Sequence, residues 1–206
     1  MRIGLVADIH EAIEPLQQAL AAFRCRGVDH VVSLGDACDT LHRRSRAREV
    51  VALLRESHAI GVWGNHDFGL CWDVPERLRH QAAPEVIEYM ATMRPHLIVE
   101  GCRFSHVEPW LDGHKLENLW YYDGQPDTVD KASRSFTAVP ERCLFLGHFH
   151  RWLAMTPNGR LDWQGERPLE LSKKCRVLVV VAPVCHGWCA VYDTAAMQLT
   201  PIRCSG

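Results

Sequence analysis

The chain has 206 residues, of which 47% are hydrophobic and 23% are charged, and its formal net charge is -2 at pH 7. These values are ordinary for a globular protein and indicate no basic surface for sequence-independent binding of nucleic acid. No stretch approaches the roughly 18 apolar residues of a membrane span, and no cleavable signal is visible, so we expect a single cytoplasmic domain over residues 1–206.

The first half of the chain alternates strands and helices. Strands are predicted over 3–7, 28–34 and 59–63, and helices over 15–26 and 43–57. The strand predictions are short apolar runs, and Pro15 and Gly27 stand where a helix prefers proline at its start and glycine past its end. Strands separated by helices of this length are typical of βαβ units with a parallel sheet.

The second half has a different pattern. Residues 75–93 predict two short helices, because Pro84 interrupts the periodicity. Residues 95–106 predict a hairpin that turns at Glu100 and Gly101, and residues 127–136 predict a further helix. Strands over 143–146, 177–181 and 189–193 then predict a second sheet, largely antiparallel or mixed.

Two features of the second half leave alternatives open. Segment 107–125 is aromatic and polar together, so it either walls a substrate pocket or covers the second sheet. Nine scattered cysteines include no Cys-x-x-Cys pair, and we expect reduced core thiols. Residues 185–189 (Cys-His-Gly-Trp-Cys) weakly match a zinc site but form no familiar ligand set, so we interpret them as structural, in the vicinity of the substrate.

Five polar clusters follow the apolar runs. In open α/β sheets ligands bind outside the carboxyl ends of the strands, so clusters distant in sequence can converge. The clusters are Asp8-Ile9-His10, Gly35-Asp36, Gly64-Asn65-His66-Asp67, His106 and Gly147-His148-Phe149-His150. Carboxylates, imidazoles and one carboxamide form a ligand set for divalent metals, which indicates a metal-dependent hydrolase. Asp8, His10, Asp36, Asn65, His106, His148 and His150 suffice for two cations if one carboxylate bridges them. Two such cations form a clamp for in-line phosphoryl displacement.

Each cluster alone has a simpler interpretation. A single histidine at a strand end is more often structural than a ligand, and Gly64-Asn65 alone is typical of a turn. The remaining seven histidines are interpreted as surface or core residues: 30, 42, 58, 80, 96, 114 and 186. The conjunction of five clusters in a consistent order favours the metal site.

This order of motifs resembles the calcineurin-like metallophosphoesterases over residues 8 to 150. The resemblance implies an α/β fold, a four-layer αββα sandwich of two mixed β-sheets flanked by helices. It also implies two divalent metal ions, with Mn²⁺ as first choice and Fe, Zn²⁺, Ni²⁺ or Co²⁺ as alternatives. By position, Asp8, His10 and His150 would hold the first metal, Asn65, His106 and His148 the second, and Asp36 both. His66 would sit over the scissile phosphate, with Asp67 as its orienting partner.

Three sequence motifs differ from those of related families at positions where substrate would be bound. Ser/Thr protein phosphatases and dinucleoside tetraphosphatases carry Gly-Asp-x-x-Asp-Arg-Gly, whereas residues 39–42 here read Asp-Thr-Leu-His. The compact size is similar to that of small bacterial and archaeal phosphodiesterases, many of which carry Asn-Pro-Gly-Ser near the C-terminus. Residues 182–185 read Ala-Pro-Val-Cys instead, and Val107 stands where a glycine usually follows the lone histidine.

The leading hypothesis is a phosphoesterase that attacks a phosphodiester with a metal-bridging hydroxide, with His66 as general acid. The expected substrate is a small-molecule or nucleotide phosphoester, and neither a membrane nor non-specific nucleic acid is an expected partner. One alternative is a phosphomonoesterase or protein phosphatase, against which the missing Arg-Gly argues. A catalytically silent scaffold would have lost ligands or His66. A nuclease lacks a basic patch, because the arginines at 43, 44, 46 and 48 are typical of a solvated helix face.

Overall fold

Two mixed β-sheets lie face to face in the computed structural model, which describes residues 1–39, 45–171 and 174–204. Within those residues each sheet has six strands. The strands are β1 Arg2–Val6, β2 His30–Ser33, β3 Ile60–Gly61, β4 His96–Val99, β5 Cys102–Ser105, β6 Cys143–Leu146, β7 Leu153–Thr156, β8 Gly159–Arg160, β9 Leu169–Glu170, β10 Val177–Val180, β11 Trp188–Asp193 and β12 Gln198–Arg203. The helices are α1 Ile13–Cys25, α2 Ala47–Glu56, α3 Phe68–Cys71, α4 Glu76–Gln81, α5 Pro84–Met90, α6 Leu116–Leu119 and α7 Val129–Ala138.

The first sheet has the order β3-β2-β1-β11-β12-β9. Strands β1, β2 and β3 are parallel, as the βαβ pattern of the first half predicts, and β11 returns antiparallel to β1. The second sheet has the order β4-β5-β6-β10-β7-β8, with β5, β6 and β10 parallel. Three parallel strands in each sheet therefore end at the same edge.

The alternation of side chains along the strands divides the apolar residues into three layers. Ile3 and Leu5 of the first sheet and Phe104 and Phe145 of the second belong to one buried cluster between the sheets. Buried residues of α1 and α2 pack with Val6 and Val31 on the outer face of the first sheet. Residues of α7 pack with the outer face of β6, β7 and β10. Since each fully buried aliphatic side chain contributes about 1.5–3 kcal/mol, these layers fix the two sheets against each other. The fold is the αββα arrangement predicted from the sequence.

The structure corrects one assignment in the second half. Residues 189–193 were expected in the second sheet, but β11 belongs to the first, where it pairs with both β1 and β12. An apolar strand such as β11 can pair within either sheet, so its composition does not show to which sheet it belongs. The predicted hairpin and the two helices around Pro84 are confirmed by β4, β5, α4 and α5.

Other boundaries differ by a few residues, and short elements were not predicted. Helix α2 begins at Ala47, and the predicted positions 43 and 44, like residues 40–42, lie outside the described residues. Elements α3, β7, β8, β9 and β12 had no prediction, because runs of two to six residues give too little periodicity. Among the described helices, none has the length and apolarity that a membrane crossing requires.

Candidate metal centre

The predicted site residues meet where the parallel strands of both sheets end. Asp8 follows β1, Asp36 follows β2 and Asn65 follows β3, whereas His106 follows β5 and His148 follows β6. Side-chain contacts across the two sheets join these strand ends. The structure thus brings all nine predicted site residues into one region: Asp8, His10, Asp36, Asn65, His66, Asp67, His106, His148 and His150.

The backbone at this edge is held in an uncommon conformation. Asp8, His10, Asp36, His148 and His150 all have positive φ, between 46° and 69°. Left-handed φ is unfavourable for residues with a Cβ atom and clusters at functional sites. Backbone hydrogen bonds stabilise the turns: the Asp8 N–H donates to the Gly35 carbonyl at 3.0 Å, and the His10 N–H donates to the Asp36 carbonyl at 3.0 Å.

Glycine is required at two of these strand ends. A Cβ atom at Gly35, whose φ is +93°, would lie 2.6 Å from Nδ1 of His106. A Cβ atom at Gly64 would collide with Oδ1 of Asp36. The glycines that precede Asp36 and Asn65 therefore allow the polar side chains to approach one another.

One group of donors surrounds Nε2 of His10. That nitrogen lies 3.2 Å from Nε2 of His150 and 3.8 Å from Oδ2 of Asp36, and His150 Nε2 lies 3.3 Å from Oδ1 of Asp8. Asp8 is fully buried and accepts the backbone N–H of His148 at 3.0 Å. These four side chains converge from three strand ends.

A second group surrounds Nε2 of His106. It lies 3.0 Å from Oδ1 of Asn65, 3.3 Å from Nδ1 of His148 and 3.3 Å from Oδ2 of Asp36. The other nitrogen of His106, Nδ1, donates to the Leu34 carbonyl at 2.8 Å. Because a carbonyl only accepts, this bond places a proton on Nδ1, and Nε2 is the nitrogen that faces the group. Asp36 contacts both groups.

The electrostatics of the second group reflect burial and the shared carboxylate. Burial opposes ionisation of Asp36, but His106 and the backbone N–H of His66 together lower the pKa of this carboxyl below its ordinary value. Burial likewise disfavours the charged form of His106. The charge and the hydrogen bond of Asp36 outweigh this effect and raise the pKa of His106 to about 9. Burial, with His106 nearby, lowers the pKa of His148 to about 4. His148 is thus held neutral, the form in which imidazole donates a lone pair.

The donor chemistry of the two groups fits two divalent cations. Imidazole nitrogens face each other at 3.2 and 3.3 Å, and acceptor oxygens lie beside them. Lone pairs converging in this way repel each other unless a proton or a cation lies among them. Two sets of three residues have ligand atoms within 4.8 Å of one another. One set is Asp8, His10 and His150, and the other is Asp8, Asp36 and His106. These oxygen and nitrogen donors suit Mn²⁺, Fe or Zn²⁺.

The His66 ring lies beside the first donor group, and its carboxylate partner is not the one expected from the sequence. The His66 ring is 4.9 Å from the His10 ring, and its Nδ1 lies 3.3 Å from Oδ1 of Asp39. The same Asp39 oxygen is 2.7 Å from Nδ1 of His10. Asp39 was missed as a site residue, although its position three residues after Asp36 in Gly-Asp-x-x-Asp was a usable signal.

The carboxylate of Asp67 stabilises the backbone of the metal centre through hydrogen bonds. The prediction made it the orienting partner of His66, but its fully buried carboxylate accepts backbone N–H groups of Ala37, Cys38 and Gly64 at 2.9–3.1 Å. Burial and the nearby Asp36 raise the pKa of Asp67 to about 7, while these three N–H groups act in the opposite direction. The carboxylate ties the loop after β2 to the loop after β3.

Part of the aromatic segment 107–125 faces the centre. Trp120 is 54% exposed, and its ring lies 5.2 Å from the ring of His66. Tyr121 and Tyr122 are also exposed, whereas Trp110 packs under Arg134. Of the two interpretations offered by the sequence, that of a pocket wall therefore fits Trp120, which no local pattern had distinguished from its neighbours.

Comparisons with known proteins agree with this geometry. A model of the calcineurin-like phosphoesterase superfamily domain matches residues 1–163. An uncharacterized protein of Methanocaldococcus jannaschii is 32% identical over 177 residues, which cover 77% of this chain and 66% of that protein, so the chain spans just under two thirds of this relative. A metallophosphoesterase from Sphaerobacter thermophilus has a TM-score of 0.77 at 22% identity, over 100% of this chain and 89% of that chain. An archaeal phosphodiesterase has a TM-score of 0.55 at 13% identity, over 98% and 99%. At these identities the two structures show a shared fold.

Proposed function

The chain belongs to the calcineurin-like phosphoesterase superfamily, and from that premise we propose that it hydrolyses a phosphodiester with the help of two divalent metal ions. The observation that carries the proposal is the pair of donor groups that share Asp36, with the His66 imidazole beside His10 of the first group. The proposed substrate is a small-molecule or nucleotide phosphoester, and Mn²⁺ is the proposed metal.

The ligands of each cation follow from the two groups. Asp8, His10 and His150 would hold the first cation, and Asn65, His106 and His148 the second, with Asp36 between them. When bound, the two cations would supply Lewis acidity toward the phosphate oxygens and would activate water as a nucleophile near neutral pH. The chain contributes a site whose turns are fixed before any ligand enters.

His66 is the proposed donor of a proton to the leaving oxygen. Its side chain is 35% exposed, so a substrate can reach it, and its Nδ1 lies 3.3 Å from Oδ1 of Asp39, which orients the ring. With Nδ1 engaged by Asp39, Nε2 is the nitrogen that donates. Asp39 also contacts His10, which links the orientation of the acid to that of a ligand.

The surroundings of His66 favour a diester over a monoester. The exposed ring of Trp120 lies on the same side as the proposed acid, where it can stack against a planar substituent on the leaving oxygen.

The test compares bis-p-nitrophenyl phosphate with p-nitrophenyl phosphate, using protein stripped with a chelator and reconstituted with Mn²⁺. We expect turnover of the diester and its loss in His66→Ala, with two metal ions per chain still bound. Asp73→Asn, an exposed substitution outside the donor groups, is the matched control. Preference for the monoester would support the phosphomonoesterase alternative, and absence of metal binding would support a silent scaffold.

A further inference from the structure

A third group of potential ligands lies beside the two described above. One ligand atom each of His150, Cys185 and His186 lies within 4.8 Å of the other two. The rings of His150 and His186 are 5.6 Å apart and nearly perpendicular. The sequence presents two of these residues in Cys-His-Gly-Trp-Cys, but the third comes from 35 positions earlier in the chain, so local spacing could not identify the set.

The fold explains why Cys185 and His186 meet His150. Strand β10 runs parallel to β6, so both strands end at the edge that carries the metal centre. The chain then forms a 3₁₀ turn at Val184–His186, whose Val184 N–H donates to the Ala7 carbonyl at 2.8 Å. Cys189, the other thiol of the motif, points away, with its Sγ 3.4 Å from Sγ of Cys204.

Backbone hydrogen bonds hold the turn that carries Cys185 and His186 at both of its ends. The Cys185 N–H donates to the Asp8 carbonyl at 3.3 Å, and the Cys204 N–H donates to the Gly187 carbonyl at 2.9 Å. Gly187 has a φ of +76°, and a Cβ atom there would lie 2.8 Å from the Cys204 carbonyl oxygen. Cys185 and His186 are therefore held in place by the backbone.

We propose that His150, Cys185 and His186 form a further site, which shares His150 with the first donor group, for Zn²⁺ or a similarly thiophilic divalent cation. One thiolate and two imidazoles are a sulfur and nitrogen set that zinc prefers, whereas the neighbouring groups also present carboxylates and an amide. His150 and His186 are exposed and line a cavity of about 220 Å³, through which a hydrated ion can enter. Three protein ligands would leave the fourth position of a tetrahedral zinc ion for water.

The new site competes with the catalytic centre for His150. Nε2 of this residue is within 3.3 Å of Asp8 and His10, which belong to the first donor group. A neutral imidazole has one lone pair, so His150 cannot serve a cation in each group at once. Occupation of the new site therefore withdraws a ligand from the first catalytic cation, and excess Zn²⁺ inhibits the enzyme loaded with Mn²⁺. This consequence rests on the proposed function, whereas binding at the site does not.

The first experiment measures binding without activity. Metal-free protein is titrated with Co²⁺ while the near-ultraviolet thiolate-to-cobalt charge-transfer band is recorded. We expect a band in the wild type that is lost in Cys185→Ser and retained in Cys25→Ser, an exposed cysteine at the end of α1. Circular dichroism checks that each variant is folded. No band in the wild type, or a band that Cys185→Ser leaves at full height, would overturn the site.

The second experiment tests the competition for His150. Zn²⁺ is added to the enzyme loaded with Mn²⁺, and His186→Ala is expected to raise the half-inhibitory concentration by at least about tenfold, because it removes one of three ligands. Equal inhibition of both proteins would overturn the competition. If neither protein hydrolyses the diester, the proposed function fails while the cobalt band still decides the site.

Discussion

Asp39 connects the proposed acid to a proposed ligand through a single oxygen. It lies 3.3 Å from Nδ1 of His66 and 2.7 Å from Nδ1 of His10. Asn at this position keeps the shape of the side chain but removes the negative charge that lies between the two imidazoles. We expect Asp39→Asn to lower kcat on the diester by about 10- to 100-fold at saturating Mn²⁺. Steady-state kinetics together with the metal content and the Tm of the same samples test this prediction.

A substitution of Asp67 is expected to differ in its effect from the substitution of Asp39. Asp67→Asn would replace one carboxylate oxygen by an NH₂ group, which would face either the Cys38 N–H or the N–H groups of Ala37 and Gly64 and could accept neither set. We therefore expect lower stability as well as lower activity. If Asp39→Asn instead lowers the Tm and Asp67→Asn leaves it unchanged, our assignment of the two carboxylates is reversed.

Glu108 is a buried carboxyl that makes stability depend on pH. Burial, with the charge of Asp123 nearby, raises the pKa of Glu108 from 4.5 to about 7. Between these values the folded chain holds a proton that the unfolded chain has lost, so the contribution of Glu108 to stability falls as pH rises. We expect Glu108→Gln to raise the free energy of unfolding at pH 8 by roughly 1–3 kcal/mol.

Chemical denaturation at two pH values measures this difference. At pH 4.5 the gain should be much smaller, because the wild-type carboxyl is then protonated in the folded protein. Glu117→Gln, an exposed neighbour in the same segment, should give no gain at either pH. A gain for Glu108→Gln of the same size at both pH values would contradict the titration argument.

At the scale of elements, the short helix α6 sets the position of Trp120. The helix spans Leu116–Leu119, and buried Leu119 anchors it, so the following tryptophan projects toward His66. If the leaving group stacks on this ring, Trp120→Ala should raise KM for bis-p-nitrophenyl phosphate by roughly 2- to 12-fold, which corresponds to 0.5–1.5 kcal/mol of aromatic contact.

Trp72→Ala provides the matched control for Trp120. Trp72 is similarly exposed, at 46%, but its ring packs on Trp63 and His114. Michaelis constants for both variants, measured also on a dialkyl phosphate without an aromatic leaving group, separate stacking from a general disturbance. An equal rise on the two substrates would show that Trp120 does not select a planar group.

Individual strands could be predicted from the local sequence, but their pairing into sheets could not. Runs such as Cys143–Leu146 were predicted at their observed bounds, because four buried apolar residues followed by glycine have one plausible structure. The sheet to which β11 belongs depends on pairing with β1, nearly 190 residues distant in sequence, and no local pattern encodes it. The same holds for the contact of Cys185 with His150, because His150 follows a different strand.

At the scale of the whole molecule, the proposed cations would join the two sheets. Asp8, Asp36 and Asn65 extend from the first sheet, and His106 and His148 from the second. The clustering of these motifs at strand ends was predictable, because carboxyl ends of parallel strands share an edge. The burial of His106 and the neutral state of His148 were not predictable, because they arise only when the two sheets close on each other.

This arrangement predicts that metal removal destabilises the entire fold. A ligand that binds only the folded protein stabilises it by about 2.7 kcal/mol at 100 times its Kd. For a chain of this size that corresponds to a rise in Tm of roughly 5–10 °C when Mn²⁺ is added to metal-free protein. Differential scanning calorimetry should show this rise in the wild type and in Asp130→Asn, an exposed change on α7, but not in Asp36→Asn. A Tm that does not respond to Mn²⁺ in the wild type would mean that the two sheets are not joined through these ligands.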